Sequence, residues 1–95
     1  MAGYVIMYVQ ITNQELLDEF LGPVRGVIES YGGKFLVRGG AFDVIEGYIK
    51  PDRIVVVEFE SVEQAHTWSN SEEFLALRQM RLDSTNMSKI IVQGV

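Results

Sequence analysis

The chain has 95 residues, a formal net charge of −5 and no cysteine. A chain of this length is expected to form one domain over residues 1–95 with a modest core, so we expect a homodimer rather than a marginally stable monomer. The lack of cysteine excludes disulfides and thiol catalysis, and the negative charge argues against a nucleic-acid partner.

Membrane and metal partners are not expected either. No apolar run approaches the roughly 20 residues that a membrane-spanning helix needs, and the first residues show neither a basic leader nor a cleavage site. We therefore expect a cytoplasmic protein. The single histidine, His66, excludes a metal site that needs two histidines from one chain, and we expect no metal and no cofactor.

The first third of the chain predicts a strand followed by a long helix. Residues 4–11 alternate between a purely apolar row and a row with polar atoms, which is typical of a strand with two different faces. A capping box at Thr12 and Glu15 begins an amphipathic helix that ends at Gly32-Gly33. Pro23 lies inside this helix, and because the apolar phase is the same on both sides of it we expect a kink.

The rest of the chain predicts three further strands and two further helices. They are, in chain order, a strand at 34–38 that continues at 42–46 after a bulge at Gly39-Gly40, a strand at 53–59, a helix from Ser61 to Trp68, a helix at 72–83 capped by Ser71, and a strand at 87–93. This βαββαβ order predicts an α+β, ferredoxin-like fold with a four-stranded antiparallel sheet and its helices on one face.

The other face of the predicted sheet has no helix to cover it. If the purely apolar rows face the helices, the open face carries Tyr4, Ile6, Tyr8, Leu36, Arg38, Val56, Glu58, Ile91 and Gln93. An apolar patch of this size is rarely left in water, so we expect two protomers to pack sheet against sheet and form a dimeric α/β-barrel.

Two arginines lie in the apolar arc of the helix at 72–83. Arg78 and Arg81 fall beside Phe74 when the helix is wound at about 100° per residue. A buried charge must reach a carboxylate, a bound anion or water. The structural explanation is that both arginines lie late in the helix and extend to solvent. Arg81 is the more central of the two and is the first candidate for an inward contact.

Arg38 and Glu58 have the same parity on neighbouring strands, so we expect them to face each other. The structural interpretation is an ion pair within a dimer interface. The functional interpretation is that Arg38 binds a carboxylate or an enolate oxygen, because a guanidinium donates two parallel hydrogen bonds.

The remaining candidate residues complete a hypothetical pocket. His66 is predicted on the inward side of its helix, where it would act as an acid or base, and Glu46 is the alternative proton carrier. Trp68 and Tyr8 would form an apolar wall, with the structural alternative that Trp68 simply joins two helices.

Several segments together resemble one known family. They are the run from Tyr31 to Gly40, the pair Glu46-Gly47, the strand at 53–59, Trp68, and the block from Leu77 to Leu82. Their order resembles the domain of unknown function family 1330. The resemblance implies a dimeric α/β-barrel of the ferredoxin-like type, similar in architecture to small cofactor-free monooxygenases and muconolactone isomerases, and it implies no particular reaction.

Two functional hypotheses follow. The first is a cofactor-free, oxygenase-like or isomerase-like enzyme that acts on a small oxygen-rich or aromatic molecule, with Arg38 and Arg81 holding an oxyanion. The alternative is a non-catalytic dimer that binds a small ligand or has a regulatory role, in which the arginines stabilise the structure. RNA-binding domains share this strand order, but the strand at 53–59 lacks their aromatic signature.

Overall fold

The computed structural model describes residues 1–95 and has the predicted order of elements, with one helix divided in two. The elements are β1 (Gly3–Ile11), α1 (Gln14–Ser30), β2 (Lys34–Arg38), β3 (Arg53–Phe59), α2 (Val62–Ser69), α3 (Glu72–Leu75), α4 (Arg78–Ser84) and β4 (Thr85–Gln93). The strands form one antiparallel sheet in the order β2-β3-β1-β4. This is the predicted ferredoxin-like α+β fold. None of its helices combines the length and the apolar character that crossing a bilayer requires.

The alternation along β1 determines which face of the sheet is buried. Val5, Met7 and Val9 are buried on the helix side, as predicted from the apolar row. The core that they share with the neighbouring strand and the helices also contains Leu17, Phe20, Val24, Ile28, Val55, Val57, Phe59, Ala65, Trp68 and Phe74. Each large apolar side chain contributes about 1.5–3 kcal/mol when it is fully buried, so this face dominates the stability of the fold.

Helix α1 begins one residue later than the capping box predicts. Asn13 is the N-cap, and its Oδ1 accepts the Leu16 N–H at 3.1 Å. Thr12 instead donates its N–H to the Ser84 carbonyl at 2.9 Å, which joins the start of α1 to the end of α4. The helix continues through Pro23, and Gly32 follows it with a φ of 83°, as the glycine pair predicts.

Strand β2 has its bulge at Leu36 and not at Gly39-Gly40. The ladder with β3 shifts its register between Phe35 and Val37. The strand ends at Arg38, so the predicted continuation at 42–46 is absent. Because one extra residue turns all later side chains to the other face, the bulge decides the direction of Arg38.

Arg38 therefore lies on the helix-facing side of the sheet, opposite Val55. Glu58 lies on the open face and is opposite Lys34, so the predicted pairing of Arg38 with Glu58 is wrong. The prediction failed because it took β2 to be regular up to Gly39, whereas the register shifts between Phe35 and Val37.

The last strand also differs from its predicted orientation. Ile90 is opposite Ile6 on the open face, whereas Ile91 is opposite Val5 and packs against the core. The predicted placement of Ile91 and Gln93 on the open face is therefore wrong. Both rows of β4 carry apolar residues, so alternation alone does not identify the buried row.

The helix predicted at 72–83 is two short helices, α3 and α4. Ser71 caps α3 as predicted, because its Oγ accepts the Phe74 N–H at 3.1 Å. The break falls at Leu77, whose φ of −94° and ψ of 1° depart from helical values. Arg81 still donates its N–H to the Leu77 carbonyl at 3.0 Å, so α4 begins at once.

Candidate functional site

A cavity of about 300 Å³ lies between α1 and the helix-facing side of the sheet. The space is left because α1 packs against α3 and α4, whereas α2 packs directly on the strands. Twelve of its seventeen lining residues are hydrophobic, so the walls offer an apolar surface to an occupant. The volume is at the lower end of the range for small-molecule pockets, which is roughly 300–1,000 Å³.

The polar lining of this cavity consists of arginines. Apart from Gly22, the residues that are not hydrophobic are Arg25, Arg38, Arg53 and Arg81. Half of the eight lysines and arginines of an acidic chain therefore border one cavity. The only ion pair of the protein joins Arg25 Nε to Glu29 Oε1 at 2.7 Å, so the other three arginines have no acidic partner.

Arg38 and Arg53 form one charged end of the cavity. Arg53 precedes Val55 by two positions, and Val55 is opposite Arg38, so the two arginines are diagonal neighbours on the same face. The Cζ of Arg38 lies 5.1 Å from the centre of the Phe35 ring. Burial, and then repulsion from Arg38, lower the pKa of Arg53, and no carboxylate forms an ion pair with its guanidinium.

Gly39 makes room for the Arg53 side chain. It has a φ of 75°, and a Cβ added there would lie 2.9 Å from the Arg53 Cζ. Its N–H donates to the Ile54 carbonyl at 3.0 Å, which fixes the chain after β2. The sequence assigned this glycine pair to a bulge, whereas Gly39 instead permits the close approach of a guanidinium.

Arg81 and Trp68 form the other end. The Cζ of Arg81 lies 5.7 Å from the centre of the Phe74 ring, and Trp68 is fully buried between Phe59 and Phe74, with ring centres 5.5 Å and 4.4 Å away. Arg81 Nε and Trp68 Nε1 are the two buried side-chain polar atoms that lack a hydrogen-bond partner. Leaving such a donor unpaired costs about 1–3 kcal/mol, so an acceptor oxygen at this end would be stabilised.

Burial, followed by repulsion from Arg78, lowers the pKa of Arg81. Arg78 itself is exposed and does not line the cavity. The helical phase thus predicted the inward position of Arg81 correctly, and the two arginines have different surroundings although they are one turn apart.

Lys89 lies beside the Arg81 end and was not identified from the sequence. Its Nζ is 4.5 Å from the centre of the Phe74 ring and 5.1 Å from that of Trp68, and it donates to Ser69 Oγ at 3.3 Å. Burial, and then repulsion from Arg81, lower its pKa from 10.5 to about 8. Lys89 is opposite Met7 on the helix-facing row of β4. The sequence pattern predicts this row on the open face, and for that reason it does not identify Lys89 as a residue of the core side.

The structure brings together three of the sequence-predicted site residues, which are Arg38, Arg81 and Trp68. Tyr8 and Glu58 lie on the open face of the sheet, away from this cavity. The partner of Glu58 is Tyr4, whose hydroxyl donates to Glu58 Oε2 at 3.2 Å. This hydrogen bond, followed by the charge of the carboxylate, raises the pKa of Tyr4.

Neither predicted proton carrier borders the cavity. His66 is exposed and not inward, because the buried stripe of α2 consists of Ala65 and Trp68 and His66 projects about 100° away from Ala65. Glu46 is exposed in the segment between β2 and β3. No three histidine, aspartate or glutamate side chains form a group that could hold a metal ion.

The family of the domain of unknown function DUF1330 matches this chain over residues 2–95. The chain belongs to this family. Comparison with curated proteins finds no match. Membership in DUF1330 agrees with the resemblance seen in the sequence and is consistent with the ferredoxin-like sheet described above.

Solved structures share the fold of this DUF1330 chain at low sequence identity. A protein of unknown function from Rhodopseudomonas palustris has a TM-score of 0.81 at 14% identity, over 99% of this chain and 82% of that one. A provisionally named antibiotic biosynthesis monooxygenase from Nitrosomonas europaea has a TM-score of 0.56 at 17% identity, over 98% and 90%. An uncharacterized NIPSNAP domain protein from Burkholderia xenovorans has a TM-score of 0.51 at 15% identity, over 100% and 95%.

Proposed function

We propose that the protein binds a small organic anion with an apolar body in the cavity between α1 and the sheet. The observation that carries this proposal is the lining itself, which combines twelve hydrophobic residues with arginines and no carboxylate. Arg53 and Arg81 are half-buried, and burial is the main cause that lowers the pKa of each. A bound carboxylate or enolate would offset the cost of this burial through charge-assisted hydrogen bonds.

Binding is measurable through Trp68, which is the only tryptophan and lines the cavity. Octanoate and phenylacetate are expected to change its fluorescence saturably, and the alcohols 1-octanol and benzyl alcohol are expected to bind at least about tenfold more weakly. Arg81→Gln should weaken carboxylate binding by about tenfold or more, whereas Arg78→Gln removes the same charge from an exposed position and should have little effect. Equal binding of acids and alcohols, or full affinity in Arg81→Gln, would refute the proposal.

A second candidate function is catalytic, and Lys89 is the observation that favours it. An amine with a pKa of about 8 is partly neutral near physiological pH and can accept a proton from carbon, while Arg81 would hold the resulting enolate oxygen. The neighbour from Nitrosomonas europaea bears the name of a monooxygenase, which is compatible with chemistry in this fold. Binding is the better-supported function because the Lys89 amine contacts the rings of the wall and does not itself line the cavity.

Proton transfer is testable without oxygen or a cofactor. Phenylpyruvate in D₂O should exchange its methylene protons faster with the protein than without it, and the rate should rise with pH as Lys89 loses its proton near pH 8. Lys89→Met should abolish the acceleration. An unchanged exchange rate in Lys89→Met would exclude this role.

We also propose that two copies pair through the open face of the sheet. Ile90, Val92 and Val37 project from this face and are 50%, 43% and 39% exposed, and Ile6 and Val56 lie between them in neighbouring strands. Contiguous apolar surface of this kind is typical of an interface, and a two-fold pairing would cover it in both copies.

The mass in solution tests this pairing. Light scattering after size exclusion should give a dimer for the parent protein and a monomer for Ile90→Lys, because a lysine in the middle of the interface would be buried without a partner. Leu75→Lys is the matched control, since Leu75 is also 50% exposed but lies on α3. A monomeric parent, or a dimer that survives Ile90→Lys unchanged, would refute it.

A further inference from the structure

The positive charge of the cavity is divided between two ends. Arg38 and Arg53 occupy the end at β2 and β3, where burial, and then repulsion from Arg38, lower the pKa of Arg53. Arg81 occupies the other end beside Phe74, and its charge adds to burial in lowering the pKa of the neighbouring Lys89. Arg38, Arg53 and Arg81 form no ion pair with a carboxylate, so both ends of the cavity carry uncompensated positive charge.

The order of the strands keeps these two ends apart. The sheet runs β2-β3-β1-β4, so Arg53 on β3 and Lys89 on β4 are separated by the width of β1. Two strand spacings place their backbones about 10 Å apart across the sheet. The apolar side chains of β1 between them, Met7 and Val9, line the floor of the cavity.

Unpaired donors are found at one of these ends. Arg81 Nε and Trp68 Nε1 are both buried, both belong to residues that line the cavity, and both lack a hydrogen-bond partner. At the opposite end, Gly39 leaves space for the Arg53 guanidinium beside the main chain. One end thus offers two guanidinium groups and the other offers a guanidinium with an indole N–H, and each set suits a carboxylate.

We propose that the cavity selects an organic dianion, with one anionic group at each end of an apolar body that lies over Met7 and Val9. This inference rests on the proposed function and specifies its ligand class. A monoanion at the Arg81 end would leave the half-buried Arg53 guanidinium without an anionic partner.

The test compares diacids with their own monoesters, which have the same body and one charge fewer. Suberate and terephthalate are titrated against monomethyl suberate and monomethyl terephthalate, by Trp68 fluorescence and by calorimetry. The diacids should bind about tenfold or more tightly than the monoesters in the parent protein. In Arg53→Gln this preference should fall to about twofold or less, because the second anionic group loses its partner.

Two further variants keep the result interpretable. Arg78→Gln makes the same change in net charge outside the cavity and should keep the preference for diacids. Arg38→Gln changes an exposed residue of the Arg53 end, and it should lower the preference even if Arg53→Gln does not fold.

The outcomes separate this inference from the proposal on which it rests. If the parent binds diacid and monoester equally well and Arg81→Gln weakens both, the cavity holds one anionic group. This result would refute the dianion proposal but would still agree with the proposed binding of an organic anion. A preference for diacids that persists in both Arg53→Gln and Arg38→Gln also overturns it. The absence of saturable binding by any of these acids would refute both.

Discussion

Lys89 holds an amine against two aromatic rings, and replacing it with methionine should stabilise the protein in a pH-dependent way. Its pKa is about 8 in the folded protein, against an ordinary lysine value of 10.5, so the folded chain resists protonation of this group. Without solvent screening, a pKa difference of about 2.5 would correspond to about 3 kcal/mol of stability. Lys89 is only half-buried, so screening reduces this contribution to about 1–2 kcal/mol. The cation–π contacts with Trp68 and Phe74 offset part of this penalty, and the methionine sulfur retains contact with the rings.

Proton binding determines how the stability difference between the parent and Lys89→Met changes with pH. Between about pH 8 and 10.5 the unfolded chain binds the proton of Lys89 more strongly than the folded chain does, so the stability of the parent rises with pH relative to that of Lys89→Met. The advantage of the variant should be largest below pH 8 and should shrink by about 1–2 kcal/mol towards pH 10.5.

Urea unfolding at several pH values between 7 and 10.5 measures this difference, and other titrating groups cancel because both proteins contain them. Lys50→Met is the control, because it removes a lysine from the exposed segment before β3. A difference between parent and Lys89→Met that stays constant over this pH range would show that Lys89 is not desolvated, and the argument from burial would fail.

Three further substitutions test individual contacts. Gly39→Ala should lower the free energy of unfolding by about 1–2 kcal/mol and weaken carboxylate binding, because it places a side chain at φ 75° and against the Arg53 guanidinium. Gly40→Ala is the control, since a Cβ there meets nothing within 4 Å. Equal effects of the two substitutions would contradict the role assigned to Gly39. Trp68→Phe should lower the free energy of unfolding in urea by about 1–2 kcal/mol, because the lost packing outweighs the gain from removing an unpaired buried N–H. Stability equal to that of the parent would contradict this. Ser71→Ala should lower the free energy of unfolding by about 1 kcal/mol, because it removes the N-cap of α3 and a hydrogen bond to the Trp68 carbonyl at 2.8 Å. An unchanged midpoint of thermal unfolding would mean that the cap does not stabilise the fold.

Local patterns account for the features that were predicted correctly. The apolar row of β1, the continuation of α1 through Pro23 and the cap at Ser71 each depend on residues within a few positions of one another. The helical phase likewise predicted that Arg81 lies nearer than Arg78 to the centre of the apolar arc.

Features that depend on a partner strand were predicted incorrectly. The bulge at Leu36 has no glycine to mark it, and it moved Arg38 from the open face to the cavity. Both rows of β4 are apolar enough to be buried, so only its register with β1 assigns Lys89 to the core side. Successive side chains of a strand point to opposite faces, so a register shift of one residue moves every later side chain to the other face.

The sequence by itself determined the order of the elements, the family and the presence of cations within an apolar arc, because periodicity and capping act over short windows. The cavity was decided only by the tertiary structure. Its four arginines come from α1, β2, β3 and α4, and they meet because α1 packs on α3 and α4 and leaves a space above the sheet. Whether an arginine has a carboxylate partner depends on which distant side chains surround it, and spacing along the chain carries no information about that.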